Sequence, residues 1–319
     1  MRVAYVGNFK PAYSTENDVR KAFEFLGHQV VPLQENATGW QRVRETALAS
    51  DLLLWTGTWD DAQPLRESLD TLRRCAMTGV RTAALHLDIF HGSDRGARQW
   101  WLHPMFFASH VFTADGSHQD RWRDMGVNHH WLRPGIRHDA AHFGTAYARY
   151  ACDVAFVGSN GNGYHPKAWP YRKQVVDALR LMCARNNWSW RNPGGDHPRV
   201  ERGEALNDFY VSACVTVGDS LCLDQERTLY CSDRVYETIG RGGYLIMPEI
   251  DFLKEDFDGV LPMYKWGDFD DLERMIKYAL ADQGARSSAR SRMHRIALER
   301  HTYVHRVREM LAIMGKKWK

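Results

Sequence analysis

Short apolar runs alternate with amphipathic stretches along the chain, and each change of period marks an expected element. RVAYVG (2–7) is an apolar run ending on glycine, and NDVRKAFEFLG (17–27) spaces its apolar side chains as a helix does before Gly27 closes it. HQVVPL (28–33) reads as the next strand, WQRVRETALAS (40–50) as a helix and DLLLWTG (51–57) as a buried strand. PLRESLDTLRRCAMTG (64–79) is again helical, and RTAALHLD (81–88), HVFTADG (110–116) and HHWLRPG (129–135) are further strands. Strands that are continuously apolar suit a sheet covered on both faces. With helices of roughly ten residues between them, they predict a parallel, doubly wound α/β arrangement.

The pattern restarts after PGIRHDAAHFGTAYARYA (134–151). CDVAFVGS (152–159) is a strand ending in Gly-Ser, followed by the helix RKQVVDALRLMCARN (172–186) and the short helix ALNDFYVSA (205–213). CVTVGDS (214–220) and GYLIMPE (243–249) are strands flanking the helix SDRVYETIGRG (232–242). DFDDLERMIKYALAD (268–282) and RSRMHRIALERHTYVHRVREMLAIM (290–314) are helical. Two doubly wound domains are therefore expected, 1–145 and 146–300, with 301–319 as a C-terminal helical segment. No short repeat or low-complexity tract interrupts them.

Composition narrows the function classes. The 319 residues are 44% apolar and 25% charged, an ordinary globular balance. No apolar run approaches the ~20 residues of a membrane span, and Met1 leads directly into a strand-like segment, which leaves no room for a signal peptide. Six cysteines without a CxxC pair suit reduced thiols of a cytoplasm better than a disulfide frame or a zinc site. A net charge of +3 permits an anionic substrate without announcing a nucleic-acid binder.

In doubly wound sheets, ligands sit beyond the carboxyl ends of the strands, so the residues after each strand carry the chemistry. In the first domain these are GNFKPAYSTEN (7–17), HLDIFHG (86–92) and DGS (115–117); in the second, GSNGNGYHPKAWPYR (158–172), GDS (218–220) and SDRVYETIGRGG (232–243). The glycines at 158, 161 and 163 match neither a Walker A loop nor GxGxxG, so no nicotinamide or flavin cofactor is indicated. A strand, Gly-Ser and a loop ahead of a helix still offer backbone N–H groups to a phosphate. In the stretch from 232, Ser232 is a candidate N-cap, and Arg234 and Glu237 lie one turn apart on one helix face. On an exposed helix that pair is a common salt bridge. In a cleft between two domains, the carboxylate instead accepts both hydroxyls of a ribose, while Arg234 and the helix N-terminus neutralise a diphosphate. Gly242 and Gly243 would then let backbone approach the ligand.

These segments carry a resemblance. DVAFVGS, SDRVYETIGRGGYLIMP, DDLERMIKYALAD and HTYVHRVREML resemble glycosyltransferases of the GT-B fold, in the spore-maturation-type "glycosyl transferases group 1" branch of bacteria and phages. YSTENDVRKAFEFLGHQV, LHLDIFHG, VFTADGS and LRPGIRHDAAHFG are similar to that branch as well. The resemblance implies a nucleotide-sugar donor, UDP-linked by family habit, held mainly by the second domain. It implies an acceptor held mainly by the first, a last helix crossing back to that domain, and a cytoplasmic enzyme (a host's cytoplasm if phage-encoded). By position, Glu237 would bind the ribose, Ser232 and Arg234 would lie near the diphosphate, Gly158 and Ser159 would line its phosphate side, and Gly7 would mark the first-domain loop. Many retaining members carry a second Glu eight positions before the ribose Glu; here that position is Leu229, and neither stereochemical course is assigned.

Rival signals have bland explanations. DFD at 256–258 and 268–270 could be an Asp-x-Asp metal site, but a charged loop and a helix cap explain them better. No metal or tightly bound cofactor is expected, with Arg and backbone dipoles stabilising the leaving diphosphate. His129 and His130 point to opposite faces of a strand and cannot chelate together. The basic run RSSARSRMHRIALERHTYVHRVR reads as the solvated face of a helix. Deprotonating an acceptor hydroxyl needs a base, for which Asp88 (beside His86 and His91) and Glu16 are candidates. The acceptor is expected to be a hydroxyl on protein or glycan. The alternatives are a hydroxylated base in phage DNA, and a non-catalytic sugar- or nucleotide-binding protein of the same shape.

Overall fold

The computed structural model of the chain describes residues 1–56, 65–88, 104–160, 170–220 and 229–315. β1 (Arg2–Gly7) is the second strand of a six-stranded, wholly parallel sheet ordered β2-β1-β3-β4-β5-β6. Its partners are β2 (Gln29–Gln34), β3 (Leu52–Trp55), β4 (Arg81–His86), β5 (His110–Thr113) and β6 (His129–Trp131). The connecting helices are α1 (Thr15–Phe25), α2 (Trp40–Leu48), α3 (Leu65–Thr78) and α4 (Gln119–Asp124). Ser14 caps α1, its hydroxyl accepting from the Asn17 N–H at 3.2 Å, with Glu16 and Asp18 in the first turn.

The continuous apolar strands have the consequence expected of them. Val3, Tyr5, Leu52 and Leu54 pack on one face with Val19 and Phe23 of α1, while Ala4, Val6, Leu53 and Trp55 pack on the other with Val43, Leu72 and Trp122. The first face is closed by the last helix. The basic stretch expected at the end of the chain is broken at His301–Thr302 into α10 (Gln283–Arg300) and α11 (Tyr303–Ile313). Tyr303, Val304, Val307, Met310 and Leu311 recur at helical spacing and join the core of Val19 and Phe23.

The chain divides into two compact units: Met1–Arg137 with the segment from Tyr303 onward, and His138–Thr302. The division falls earlier than residue 145 because the buried Asn207 Nδ2 donates to the carbonyls of Ala140 (3.0 Å) and His142 (2.8 Å), tying that stretch to the second unit.

The second unit holds a five-stranded parallel sheet ordered β11-β10-β9-β7-β8. These strands are β7 (Cys152–Ala155), β8 (Trp190–Arg191), β9 (Ala213–Val217), β10 (Leu245–Pro248) and β11 (Met263–Tyr264). Its helices are α5 (Pro170–Asn186), α6 (Glu204–Ser212), α7 (Arg234–Gly240), α8 (Asp251–Asp256), α9 (Phe269–Ala281) and α10. The edge strands β8 and β11 span two residues each, too short to leave an apolar run in the sequence.

Candidate functional site

The order of the second sheet reverses at β7. The chain leaves β7 for β8 on one side and reaches β9 on the other, so a crevice opens beyond the carboxyl ends of β7 and β9. The side chain of Asp219, just past β9, has 0% exposure there. Its Oδ2 accepts from Arg172 Nε at 2.7 Å, and its Oδ1 accepts from Arg172 Nη2 at 3.3 Å and Arg234 Nη1 at 2.8 Å. Arg172 Nη1 also donates to Ser159 Oγ at 3.3 Å. Both guanidinium carbons lie near the Phe156 ring, at 5.8 and 5.9 Å from its centroid. Two guanidiniums around one carboxylate give this cluster a net positive charge. Burial draws the Arg172 pKa below its ordinary value, against the pull of Asp219. The Arg172 side chain is 5% exposed and that of Arg234 24%, so Arg234 is the one that faces outward.

Gly158, Ser159 and Arg234 are thus brought together. Gly158 has φ +146°, and a Cβ there would lie 3.4 Å from the Arg234 guanidinium. Its own N–H donates to Pro193 O at 2.9 Å, so that amide is not available to a phosphate as the sequence suggested. Glu237 sits one turn along α7 but is not paired with Arg234. Its Oε2 accepts from Arg241 Nε at 2.7 Å, and Arg241 Nη1 in turn donates to Asn207 Oδ1. The Glu237 side chain is 14% exposed, and a carboxylate held on one side keeps lone pairs for further donors.

Three expectations for this stretch change. Ser232 is not the N-cap of α7: Asp233 occupies that position, and no side chain caps it. The Ser232 hydroxyl is buried and has no hydrogen-bond partner. Gly242 and Gly243 end the helix rather than clear space for a ligand. Gly242 N–H donates to Ile239 O (3.0 Å) and Gly243 N–H to Thr238 O (2.8 Å), a Schellman closure with Gly242 at φ +84°. A Cβ on Gly242 would lie 2.5 Å from Phe143 Cδ1, and one on Gly243 would lie 2.7 Å from Thr238 Cγ2.

In the first unit, Gly7 and Glu16 touch. A Cβ on Gly7 would come within 2.8 Å of Glu16 Cγ, and Glu16 Oε1 accepts from the Asn8 N–H at 3.3 Å. Glu16 is 4% exposed, and this bond ties it to the loop after β1. Asp88 follows β4, separated from β1 by β3, and is half-buried. Its carbonyl is 2.8 Å from His86 Nδ1, which fixes the backbone as it leaves the strand. His91 lies outside the described residues.

The glycosyl transferase-like family model matches residues 148–312, more than half of the chain. The chain belongs to the glycosyl transferase-like family. Solved structures agree on the fold. An α-glucosyltransferase solved with UDP and a 13-mer DNA containing an HMU base is 8% identical, with a TM-score of 0.69 over 99% of this chain and 100% of that one. The Escherichia coli trehalose-6-phosphate protein bound with UDP-2-fluoro glucose is 10% identical, with a TM-score of 0.65 over 99% and 100%. Sucrose-phosphate synthase from Thermosynechococcus elongatus is 10% identical, with a TM-score of 0.59 over 98% of both chains. No curated protein sequence matches. The two parallel sheets with alternating helices are those of GT-B glycosyltransferases.

The remaining signals in this glycosyltransferase are structural. Asp268 caps α9 by accepting from the Asp271 N–H at 2.9 Å. Asp256 ends a short helix, not a loop, and accepts from Tyr236 OH at 2.6 Å, while Asp258 accepts from Arg300 at 2.8 Å. His129 stacks on Trp122, and His130 on His110. In the basic helix, Arg290 Nη2 donates to Ala213 O at 2.8 Å, closing the start of β9 instead of meeting solvent. Among the described residues no helix is long and apolar enough to cross a membrane, and no group of three His, Cys, Asp or Glu is placed to hold a metal. Arg172 and Asp219 were not singled out by their sequence, although both lie in segments that follow strands. Their signal was a lone Asp after an apolar strand and an Arg opening a helix, each common by itself.

Proposed function

We propose that this glycosyltransferase takes its sugar from a UDP-sugar whose diphosphate faces Arg234 and whose ribose hydroxyls bond to Glu237. One observation carries the reading: an outward-facing guanidinium, anchored by a buried carboxylate, stands one helical turn from an acceptor-only side chain. The pair matches the two ends of a nucleoside diphosphate, an anion and a vicinal diol. As the glycosidic bond breaks, charge accumulates on the β-phosphate, and a fixed guanidinium stabilises it without reorganising. Ser232, buried just ahead of α7, would offer its unpartnered hydroxyl to the diphosphate in this reading. Nucleotide-sugar chemistry and the buried free thiols of Cys75, Cys152 and Cys183 fit a cytoplasmic enzyme. Burial pushes the Cys152 and Cys183 thiols up to about 12, which keeps them protonated and inert.

The acceptor hydroxyl belongs to a protein or glycan in this reading, with Asp88 as the base that takes its proton. Asp88 is favoured over Glu16 because it is only half-buried just past the end of β4, whereas Glu16 is 4% exposed and accepts the Asn8 N–H. A second reading is a hydroxymethylated base in DNA, favoured by the full-length likeness to the α-glucosyltransferase solved with HMU-containing DNA. Incubation with radiolabelled UDP-glucose and three acceptor pools (hydroxymethylated DNA, lysate protein, small saccharides) decides between them. UDP release with label entering protein or saccharide supports the first reading. Label entering only DNA, with transfer falling steeply as salt rises, replaces it with the second. No UDP release from any common UDP-sugar sinks the donor assignment.

A further inference from the structure

Asp219 is not explained by packing alone. A carboxylate with no exposure, inside a sheet crevice, carries a desolvation cost that only dense pairing offsets. It collects three N–H donors from two arginines that start different helices, Arg172 in α5 and Arg234 in α7. The two arginines are used unequally. Arg172 spends two nitrogens on Asp219 and a third on Ser159, and is almost wholly buried. Arg234 spends one nitrogen on Asp219, its only side-chain hydrogen bond among the described residues, and keeps 24% exposure. Among the described residues, the chain Ser159–Arg172–Asp219–Arg234 therefore runs from a fully engaged guanidinium, through a buried carboxylate, to a partly exposed one that gives a single nitrogen to it.

We infer that Asp219 is a positioning residue for donor binding: it fixes the orientation of the Arg234 guanidinium, while Arg172 supplies the buried counter-charge that holds Asp219 in place. The inference rests on the assignment of Arg234 to the donor diphosphate. It makes a prediction whose sign is unusual. If Asp219 contributed only its charge, its removal would make the crevice more positive, and a diphosphate would bind more tightly. If it positions Arg234, removal frees a long, flexible side chain and binding weakens. The transition state, which places more charge on the β-phosphate than the ground state does, suffers further still.

The test is UDP affinity by calorimetry, with initial rates on UDP-glucose, for wild type, Arg234→Met, Asp219→Asn, Asp219→Glu and the double variant Asp219→Asn/Arg172→Met. The double variant removes one buried charge of each sign, so it remains balanced if Asp219→Asn alone misfolds with Arg172 unpaired. Expected results are a loss of UDP affinity of about 10- to 100-fold in Arg234→Met, the range of one charge-assisted hydrogen bond. A loss of about 5- to 30-fold is expected in Asp219→Asn and in the double variant, with kcat falling at least as far, and partial recovery in Asp219→Glu. Loss in Arg234→Met, with wild-type or tighter UDP binding in the folded Asp219 variants, overturns the positioning role and leaves the donor site standing. Wild-type UDP affinity in Arg234→Met overturns the donor-site assignment, and the inference with it.

Discussion

Glu237 is held by Arg241 on one side, and this decides how its role is best tested. Arg241 is 3% exposed, so truncating Glu237 to Ala would strand a buried guanidinium and disturb the fold as well as the site. Glu237→Gln keeps an oxygen for Arg241 and removes the charge offered to a ribose. UDP affinity in Glu237→Gln is expected to fall by about 1.5–3 kcal/mol, the worth of hydrogen bonds to a charged group, with a melting temperature lowered less than in Glu237→Ala. Calorimetry that finds wild-type affinity would return Glu237 to a purely structural ion pair. In the first unit, Asp88→Asn is expected to bind UDP normally and to lose about 10²–10⁴-fold in turnover, as removal of a general base does. Wild-type turnover there, with loss in Glu16→Gln, would move the base to the loop after β1.

His129 makes a separate residue-scale prediction. Burial, and secondarily its neighbour His130, lower its pKa to about 4, where it stacks on Trp122 and bonds Thr113 Oγ1 at 2.6 Å and Gln119 Oε1 at 3.0 Å. Its folded-state pKa lies below the unfolded value of ~6.5, so the unfolded chain binds the proton first as pH falls. Stability is therefore lost progressively from about pH 6.5 toward pH 4, on the order of 1–2 kcal/mol by pH 5. Thermal melts of wild type against His129→Gln between pH 7 and 5 should show a flatter profile in the variant. Parallel profiles would exclude His129 as the cause.

At the scale of elements, α7 shows what a sequence conceals. The helix in SDRVYETIGRGG is legible from local spacing, whereas the closing role of Gly242 and Gly243, read from the sequence as room for a ligand, is not. Which side chain caps the helix, and what fills the space beside each glycine, are set by tertiary neighbours. Phe143 comes from a distant segment, and Asp219, the partner of Arg234, from the loop after β9. Gly242→Ala is accordingly expected to lower stability by about 1–3 kcal/mol, through the left-handed backbone and the encounter with Phe143, while UDP affinity is retained. Loss of UDP binding with full stability would restore the ligand-clearing role read from the sequence. The same division holds elsewhere. Strands such as LLLW announce themselves by apolar continuity, whereas α1, read from residue 17, starts at Thr15 behind the cap of Ser14. β8 and β11 are created by neighbours and have no pattern of their own. The Arg172–Asp219–Arg234 cluster joins residues far apart in sequence, each unremarkable where it stands, and only the strand order β9-β7 makes them one site.

For the molecule as a whole, the two units differ in how the chain builds them. His138–Thr302 is continuous, whereas the first unit needs α11 from beyond the second. That helix buries Tyr303, Val304, Val307, Met310 and Leu311, together worth about 7–15 kcal/mol at ~1.5–3 kcal/mol for each large apolar side chain. This equals the net stability of a typical domain. A chain ending at Thr302 is therefore expected to show unprotected amides throughout β1–β6 by hydrogen exchange, while β7, β9 and β10 remain protected and UDP still binds. Native-like protection of β1–β6 in that chain would show that α11 is dispensable.

Synthesis gives this arrangement a temporal meaning. The ribosome releases β1 to β6 first, yet the helix that covers Val19, Phe23 and Leu85 emerges only after all of His138–Thr302 has been made. At ~5–20 residues per second that interval is roughly ten to thirty seconds, long enough for the continuous half to fold while the earlier half waits with an apolar face uncovered. A message cut short within the final helix thus yields a chain with one finished half and one open, sticky one, marked for chaperones and proteases before it can act.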